Sequence, residues 1–202
     1  MARTRTPARR AATRIERDTM GEMIVPAEAL YGAQTARALD NFAISGLRPH
    51  PAFVDATVRI KLAAARVNAR LKLLPQDKAR AIERAAQEVL DGRWRDQFVV
   101  DPYQAGAGTS HHMNVNEVLA NRACELLGGR RGDRALVDPN DHVNMAQSTN
   151  DVVPTAIRLA ALELAPPAVE ALQALADTFT GKAREWDGVV KSGRTHLMDA
   201  TP

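Results

Sequence analysis

The chain contains one cysteine, Cys124, in 202 residues. A single thiol excludes an internal disulfide framework and any multi-cysteine zinc site, and it fits a reducing, cytoplasmic setting. Beside Ala123 and close to Leu126, Cys124 reads as a small buried apolar residue. Aromatics supply only 4% of the residues, whereas the hydrophobic fraction is 45% and rich in alanine and leucine. That balance favours helix packed on helix over a β-sandwich. No uninterrupted run of about 18 apolar residues occurs, and on that ground a membrane span is excluded.

Charge of one sign is also scarce. The chain has 27 basic and 24 acidic residues, a formal +3. Arg3, Arg5, Arg9, Arg10 and Arg14 fall in the first 14 residues, which hold no acid; the remainder has 22 basic against 24 acidic residues. The globular part is therefore not a basic nucleic-acid surface. The stretch MARTRTPARRAATR has no apolar periodicity and reads as a disordered extension over residues 1–14. An organelle transit peptide or a polyanion-binding arm would share its composition.

What is present is helical periodicity. Residues 22–25, Glu-Met-Ile-Val before Pro26, suit a short strand or extended arm. From Pro51, Phe53, Ala56, Ile60, Ala63, Ala64, Val67 and Leu71 trace one helix face. Pro75 interrupts, and Ala79, Ile82, Ala85, Ala86, Val89 and Leu90 resume the pattern until Asp91-Gly92 stops it. These two stretches predict a helical hairpin. A third helix is expected over 112–127, with Met113, Val118, Leu119, Ala123 and Leu126 inward and Gly128-Gly129 at its end. A fourth is expected from about 150 to 187, with Leu172, Leu175, Ala176, Phe179, Ala183 and Trp186 in a stripe. Pro166-Pro167 within it predicts a kink or break. The fold class is mainly α.

Three polar segments carry the chemistry. In Gln104-Ala-Gly-Ala-Gly-Thr-Ser110 small residues let backbone approach a ligand, and Thr109-Ser110 stand just before a helix. Free N–H groups there favour a carboxylate or phosphate, although N-capping by Thr109 or Ser110 accounts for the same residues. Asp138 to Asp151 also ends at a helix start, with Ser148, Thr149 and Asn150 as donors; loop-plus-cap and ligand binding both remain open. In Lys191-Ser-Gly-Arg-Thr-His196, Arg194 can bind a carboxylate bidentately and His196 can transfer protons, against a default of solvated loop. His111-His112 lacks a matching ligand set for a metal, and neither a dinucleotide fingerprint nor a hydrolase elbow occurs. No metal or cofactor is expected. Together the clusters suggest a site for a small dicarboxylate.

These residues resemble the fumarase/aspartase superfamily. Tyr31-Gly-Ala-Gln-Thr35 with Arg37 is similar to its N-terminal signature, and Gly106-Ala-Gly-Thr-Ser110 with Met113-Asn-Val-Asn-Glu-Val-Leu-Ala-Asn-Arg122 to its first active-site segment. Pro139-Asn-Asp-His-Val-Asn144 and Gln147-Ser-Thr-Asn-Asp151 resemble the second, and Gly193-Arg-Thr-His-Leu-Met-Asp-Ala-Thr-Pro202 the next. The resemblance runs over roughly residues 15–202 and implies an N-terminal domain over 15–147 and the start of a central helical bundle over 148–202. It further implies a homotetramer whose active sites combine three subunits. Under it the chain is the N-terminal portion of a longer polypeptide, inactive by itself.

The implied reaction is reversible anti-elimination to fumarate. A base takes the Cβ proton, and preorganised donors stabilise the resulting aci-carboxylate. By resemblance Thr109, Ser110, Ser148, Thr149, Asn150 and Arg194 bind substrate, and Thr195 and His196 assist binding and proton transfer. Asn140 and Asp141 would form a secondary anion site. The catalytic base implied is a serine on a glycine-rich loop that no segment here matches. Ala107 and Thr149 favour ammonia loss from L-aspartate, while the closing Thr195-His-Leu-Met-Asp-Ala-Thr-Pro202 favours malate dehydration as the alternative. A non-catalytic helical fragment is the reading from another class. The chain departs from the family pattern at His112, where an Asn is usual, at Asp138, where fumarases often place a His, and at the double proline.

Overall fold

The computed structural model describes residues 12–191 and 193–200, so most of the arginine tail and Thr201-Pro202 lie outside it. The chain divides into two compact units, Met1–Ala161 and Leu162–Pro202. Helices dominate, as the composition predicts.

In the first unit, strand β1 (Thr13–Asp18) pairs antiparallel with β2 (Gly21–Pro26), in register from Thr13–Pro26 to Asp18–Gly21. The second strand is the expected one; the first, rich in charge, gives no apolar alternation to read. Arg14, counted with the tail by composition, lies in β1. Its guanidinium pairs with Glu16 and donates to the carbonyls of Pro26, Ala29 and Tyr31 at 2.6–2.9 Å.

Helix α1 (Ala33–Asn41) is followed by α2 (Pro51–Arg70) and α3 (Gln76–Leu90), which form the expected hairpin. On α3 the predicted apolar stripe is the buried one, and Gly92 turns out of the helix at φ +91°. On α2 the predicted face is corrected. Val67, Leu71 and Ala63 are exposed, and the core face runs through Val54, Val58, Lys61, Ala65, Asn68 and Ala69. Hydrophobic periodicity missed it because a lysine and an asparagine occupy the buried stripe. Phe53, Ala56 and Ile60 do pack, but in a smaller cluster with Ala156 and Ala160.

Helix α4 (Thr109–Leu126) is central, with residues 111–121 buried on every side. One of them, Glu117, determines where α1 sits. Helix α1 begins after Gly32, which has no side chain to cap it. The Glu117 carboxylate from α4 takes that place, accepting the N–H groups of Gly32 (2.9 Å), Gln34 (2.9 Å) and Thr35 (3.0 Å) and the Thr35 hydroxyl (2.7 Å). Four donors satisfy a buried charge while the helix dipole favours it. Burial pushes the Glu117 pKa up, and the Thr35, Gln34 and Gly32 donors oppose that rise. A Cβ at Gly32 would strike the Glu16 carboxylate and lie 2.9 Å from Glu117 Oε1, so a larger residue there would have to displace both carboxylates.

Helix α5 (Thr149–Glu185) is unbroken, which corrects the expectation of a break at Pro166-Pro167. Two prolines remove two donors from the ladder, and the bonds on either side continue the helix across them. Its buried residues are Val152, Val153, Ala156 and Ala160. In the second unit Leu172, Leu175, Phe179 and Trp186 are exposed. By length and composition α5 could also cross a membrane, at mean hydropathy 1.3 over its most apolar window, so the lack of an uninterrupted apolar run does not exclude one. A helix made for a bundle core meets the same test. The unit closes with the hairpin β3 (Gly193–Thr195) and β4 (Met198–Ala200), where a solvated loop was the default.

Replacing Glu117 by Gln puts an amide N–H against backbone donors in a buried site. Glu117→Gln is expected to lower stability by about 3 kcal/mol in denaturant unfolding, with an unchanged m-value.

Candidate active site

Two of the three polar segments end at helix starts, those of α4 and α5. The loop before α4 is anchored by Asp101, whose carboxylate accepts the N–H groups of Ser45 (2.6 Å), Gly46 (2.9 Å) and Tyr103 (2.8 Å). Gly108 then enters α4 at φ +77°. A Cβ there would lie 2.9 Å from Val153 Cγ1, so glycine lets the start of α4 rest against the first turn of α5. Capping of α4 falls to Gln104, whose Oε1 accepts the His111 N–H at 2.8 Å, rather than to Thr109 or Ser110. Those two are the first residues of the helix, and their hydroxyls make no hydrogen bond among the described residues. Thr109 is exposed. Ser110 lines a separate hollow of about 200 Å³ with Gln34, Arg37 and Asp18.

At the start of α5, Ser148 is the cap: its Oγ accepts the Asn150 N–H at 3.2 Å. Ser148 and Asn150 are exposed, and Thr149 is half-buried with its Oγ1 2.8 Å from His112 Nδ1. Behind His112 lies Lys61, wholly buried. Its Nζ bonds His112 Nε2 and donates to Asn144 Oδ1 and Gln147 Oε1, both at 2.9 Å. Burial lowers the Lys61 pKa to about 7. Burial, then the Lys61 charge and His111, takes His112 down to about 3, so its imidazole is neutral near pH 7.

His111 points elsewhere. It stacks on Phe53 at 4.3 Å, has Nε2 3.1 Å from Thr57 Oγ1, and lines a largely apolar cavity of about 390 Å³ with Gly108, Val153 and Ile157. Burial lowers its pKa to about 4. Cys124 is buried as expected, its thiol pushed up by burial to about 11.

Asn140 and Asp141 lie in a single π-helical turn, Pro139–Val143. Their N–H groups are taken by Asp138 Oδ1 at 2.6 and 2.9 Å, so an anion arriving there meets a carboxylate. Arg194 and His196 belong to the second unit, exposed on β3 and in its turn; the Thr195 side chain lies outside the described residues. Sequence reasoning missed Lys61, Asn144 and Gln147. The signal for Lys61 was its spacing from Val54, Val58 and Ala65, which puts a lone cation on the core face.

A helical architecture with donor-bearing helix starts set side by side is the class of frame whose free N–H groups and hydroxyls suit a small anion. Comparison with known proteins narrows that class. Residues 21–202 match the family model described as Lyase. Over 94% of its length the chain is 49% identical to an aspartate ammonia-lyase of a Bacillus species and 53% identical to a class II fumarate hydratase of Ralstonia nicotianae. It spans 40% and 41% of the length of those two relatives. A crystal structure of fumarate lyase:delta crystallin from Brucella melitensis superposes on 95% of the chain with a TM-score of 0.86 and 49% identity, the match covering 45% of that chain. The chain belongs to this lyase family, the fumarase/aspartase superfamily, and corresponds to its N-terminal part.

The buried amine gives a pH signature. Unfolded, Lys61 titrates near 10.5, and folded near 7, so between these values the unfolded chain binds more protons. Stability is then expected to rise with pH, by roughly 2 kcal/mol from about pH 7 to about pH 8.5. Cys124 opposes this only above its ordinary value of 9.0. Lys61→Met removes the slope, which denaturant titrations across that range would read. Gly108→Ala should destabilise by about 2 kcal/mol through its φ and its clash, with partial rescue by Val153→Ala.

Proposed function

We propose that the chain provides the carboxylate-binding part of a site that eliminates ammonia from L-aspartate to give fumarate. The observation that carries this reading is the meeting of the two helix starts at Gly108 and Val153, beside the Thr149 hydroxyl, in a member of this lyase family. Helix starts and hydroxyls suit a developing dianion, since their donors are in place before charge moves. Thr109, Ser110, Ser148, Thr149 and Asn150 hold the carboxylates and the leaving group, with Arg194 as a further anchor. Thr195 and His196 assist proton transfer.

In the reaction the Cβ–H bond breaks first and its electron pair spreads onto the adjacent carboxylate. The pair then forms the double bond as the Cα–N bond breaks and ammonia leaves. The base is the serine that the family resemblance implies, and these 202 residues contain no match to its loop. The working protein is a cytoplasmic homotetramer that acts on small dicarboxylates. Loss of water from malate is the second reading, favoured by the 53% identity to a class II fumarate hydratase.

Fumarate formation, followed by ultraviolet absorbance, tests both. The purified chain alone is expected to form none from L-aspartate or L-malate, because a missing base costs several orders of magnitude in rate. Mixed with the remaining part of a relative, it is expected to act on L-aspartate. Turnover of malate alone would select water as the leaving group. Silence with the partner bound would overturn the proposal.

A further inference from the structure

The contact between Lys61, His112 and Thr149 can exist in two complete hydrogen-bonding states. Lys61 Nζ faces three acceptors: Asn144 Oδ1, Gln147 Oε1 and His112 Nε2. An ammonium has three N–H groups and satisfies all three. His112 then carries its proton on Nδ1 and donates to Thr149 Oγ1. A neutral amine has two N–H groups, for Asn144 and Gln147, and a lone pair that accepts from His112 Nε2–H. In that state His112 Nδ1 is bare and accepts a hydrogen bond from the Thr149 hydroxyl.

We propose that Lys61 and His112 are positioning residues that set the direction of the Thr149 hydroxyl, offering its proton to a bound carboxylate only while Lys61 is an ammonium. The inference rests on the reading of Thr149 as a carboxylate-binding group. The proton balance closes along the chain of contacts. Lys61 passes a proton to Nε2, Nδ1 passes its own to Thr149 Oγ1, and the hydroxyl releases its former proton to solvent. One proton and one positive charge are lost, and no buried group is left without a partner.

The surroundings favour such a switch. The groups that face the amine are His112 from α4 and two neutral carboxamides from the segment before α5, and no ion pair reaches Lys61 among the described residues. His111, the next titratable group, is buried and turned toward Thr57 and Phe53. Burial brings the amine to about 7 while His112 stays uncharged, so protonation at Lys61 changes the tautomer of His112 and not its charge. Linkage requires the reverse effect as well: a carboxylate bound at Thr149 favours the ammonium and draws in a proton.

The test is the protonation of the two His112 ring nitrogens, read by nitrogen-15 NMR on the histidine-labelled chain and assigned with His112→Asn. From about pH 5.5 to about pH 9 the proton is expected to move from Nδ1 to Nε2, with a midpoint near the Lys61 value. One tautomer throughout would overturn the proposal. Lys61→Arg, charged at every pH, should hold Nδ1–H across the range, and a switch that survives in it would also overturn the proposal. Fumarate is the binding probe. Its affinity for the chain should fall about tenfold or more from about pH 6 to about pH 8.5, through loss of one hydrogen bond to a charged group, and stay flat in Lys61→Arg. Equal affinity at both pH values in the unmodified chain, with the tautomer switching, would overturn it. If fumarate binds at neither pH, with the remaining part of a relative added as well as without it, the carboxylate-binding reading fails, and the tautomer measurement alone decides the relay.

Discussion

A carboxylate that caps another helix sets the geometry of the first unit. Helix α1 has nine residues and no side-chain cap of its own, too little to stand alone. Glu117 on α4 supplies the acceptors, and once buried it needs every donor at the α1 start. Each element thus meets the other's obligation, and any shift leaves a charge or three N–H groups without partners.

The rest of α4 works in the same way. Asn114 accepts the Val99 N–H and donates to Gln97 O, both at 3.0 Å. Asn121 donates to Leu30 O at 2.8 Å and accepts the Gly132 N–H at 2.6 Å. Glu117, Asn114 and Asn121 each hold the backbone of a surrounding segment, with Val115, Val118 and Leu119 filling the space between. A helix fixed on all sides holds its own first turn still, and Thr109 and Ser110 stand on that turn. Precision at the site is therefore a consequence of buried amides and one carboxylate some turns away.

This arrangement also explains what the sequence made legible. The α3 stripe, the α4 span and the glycine stops follow from apolar periodicity and φ, so they could be read directly. The α2 face could not, because Thr57, Lys61 and Asn68 sit where periodicity expects hydrocarbon. Helix α1 was invisible as a helix, since its cap comes from 85 residues away in the chain. The motifs are visible in the sequence as motifs, yet Gly32, Thr35, Glu117 and Asn121 within them hold the fold. Thr109, Ser148 and Asn150, at the helix starts of the same segments, are exposed instead. A polar residue in such a motif tells that a partner exists, and three dimensions are needed to say which.

Lys61 differs in one respect from the buried polar groups that tie the chain together. Glu117, Asn114 and Asn121 each hold a backbone segment in place. Lys61 holds no backbone, and its contacts run only to two carboxamides and to an imidazole that ends on a hydroxyl. An apolar side chain of similar length would fill the same space without the desolvation of an amine. A group that lowers stability without ordering the chain has its rationale at the end of the contacts it makes, and that end is the Thr149 hydroxyl at the start of α5.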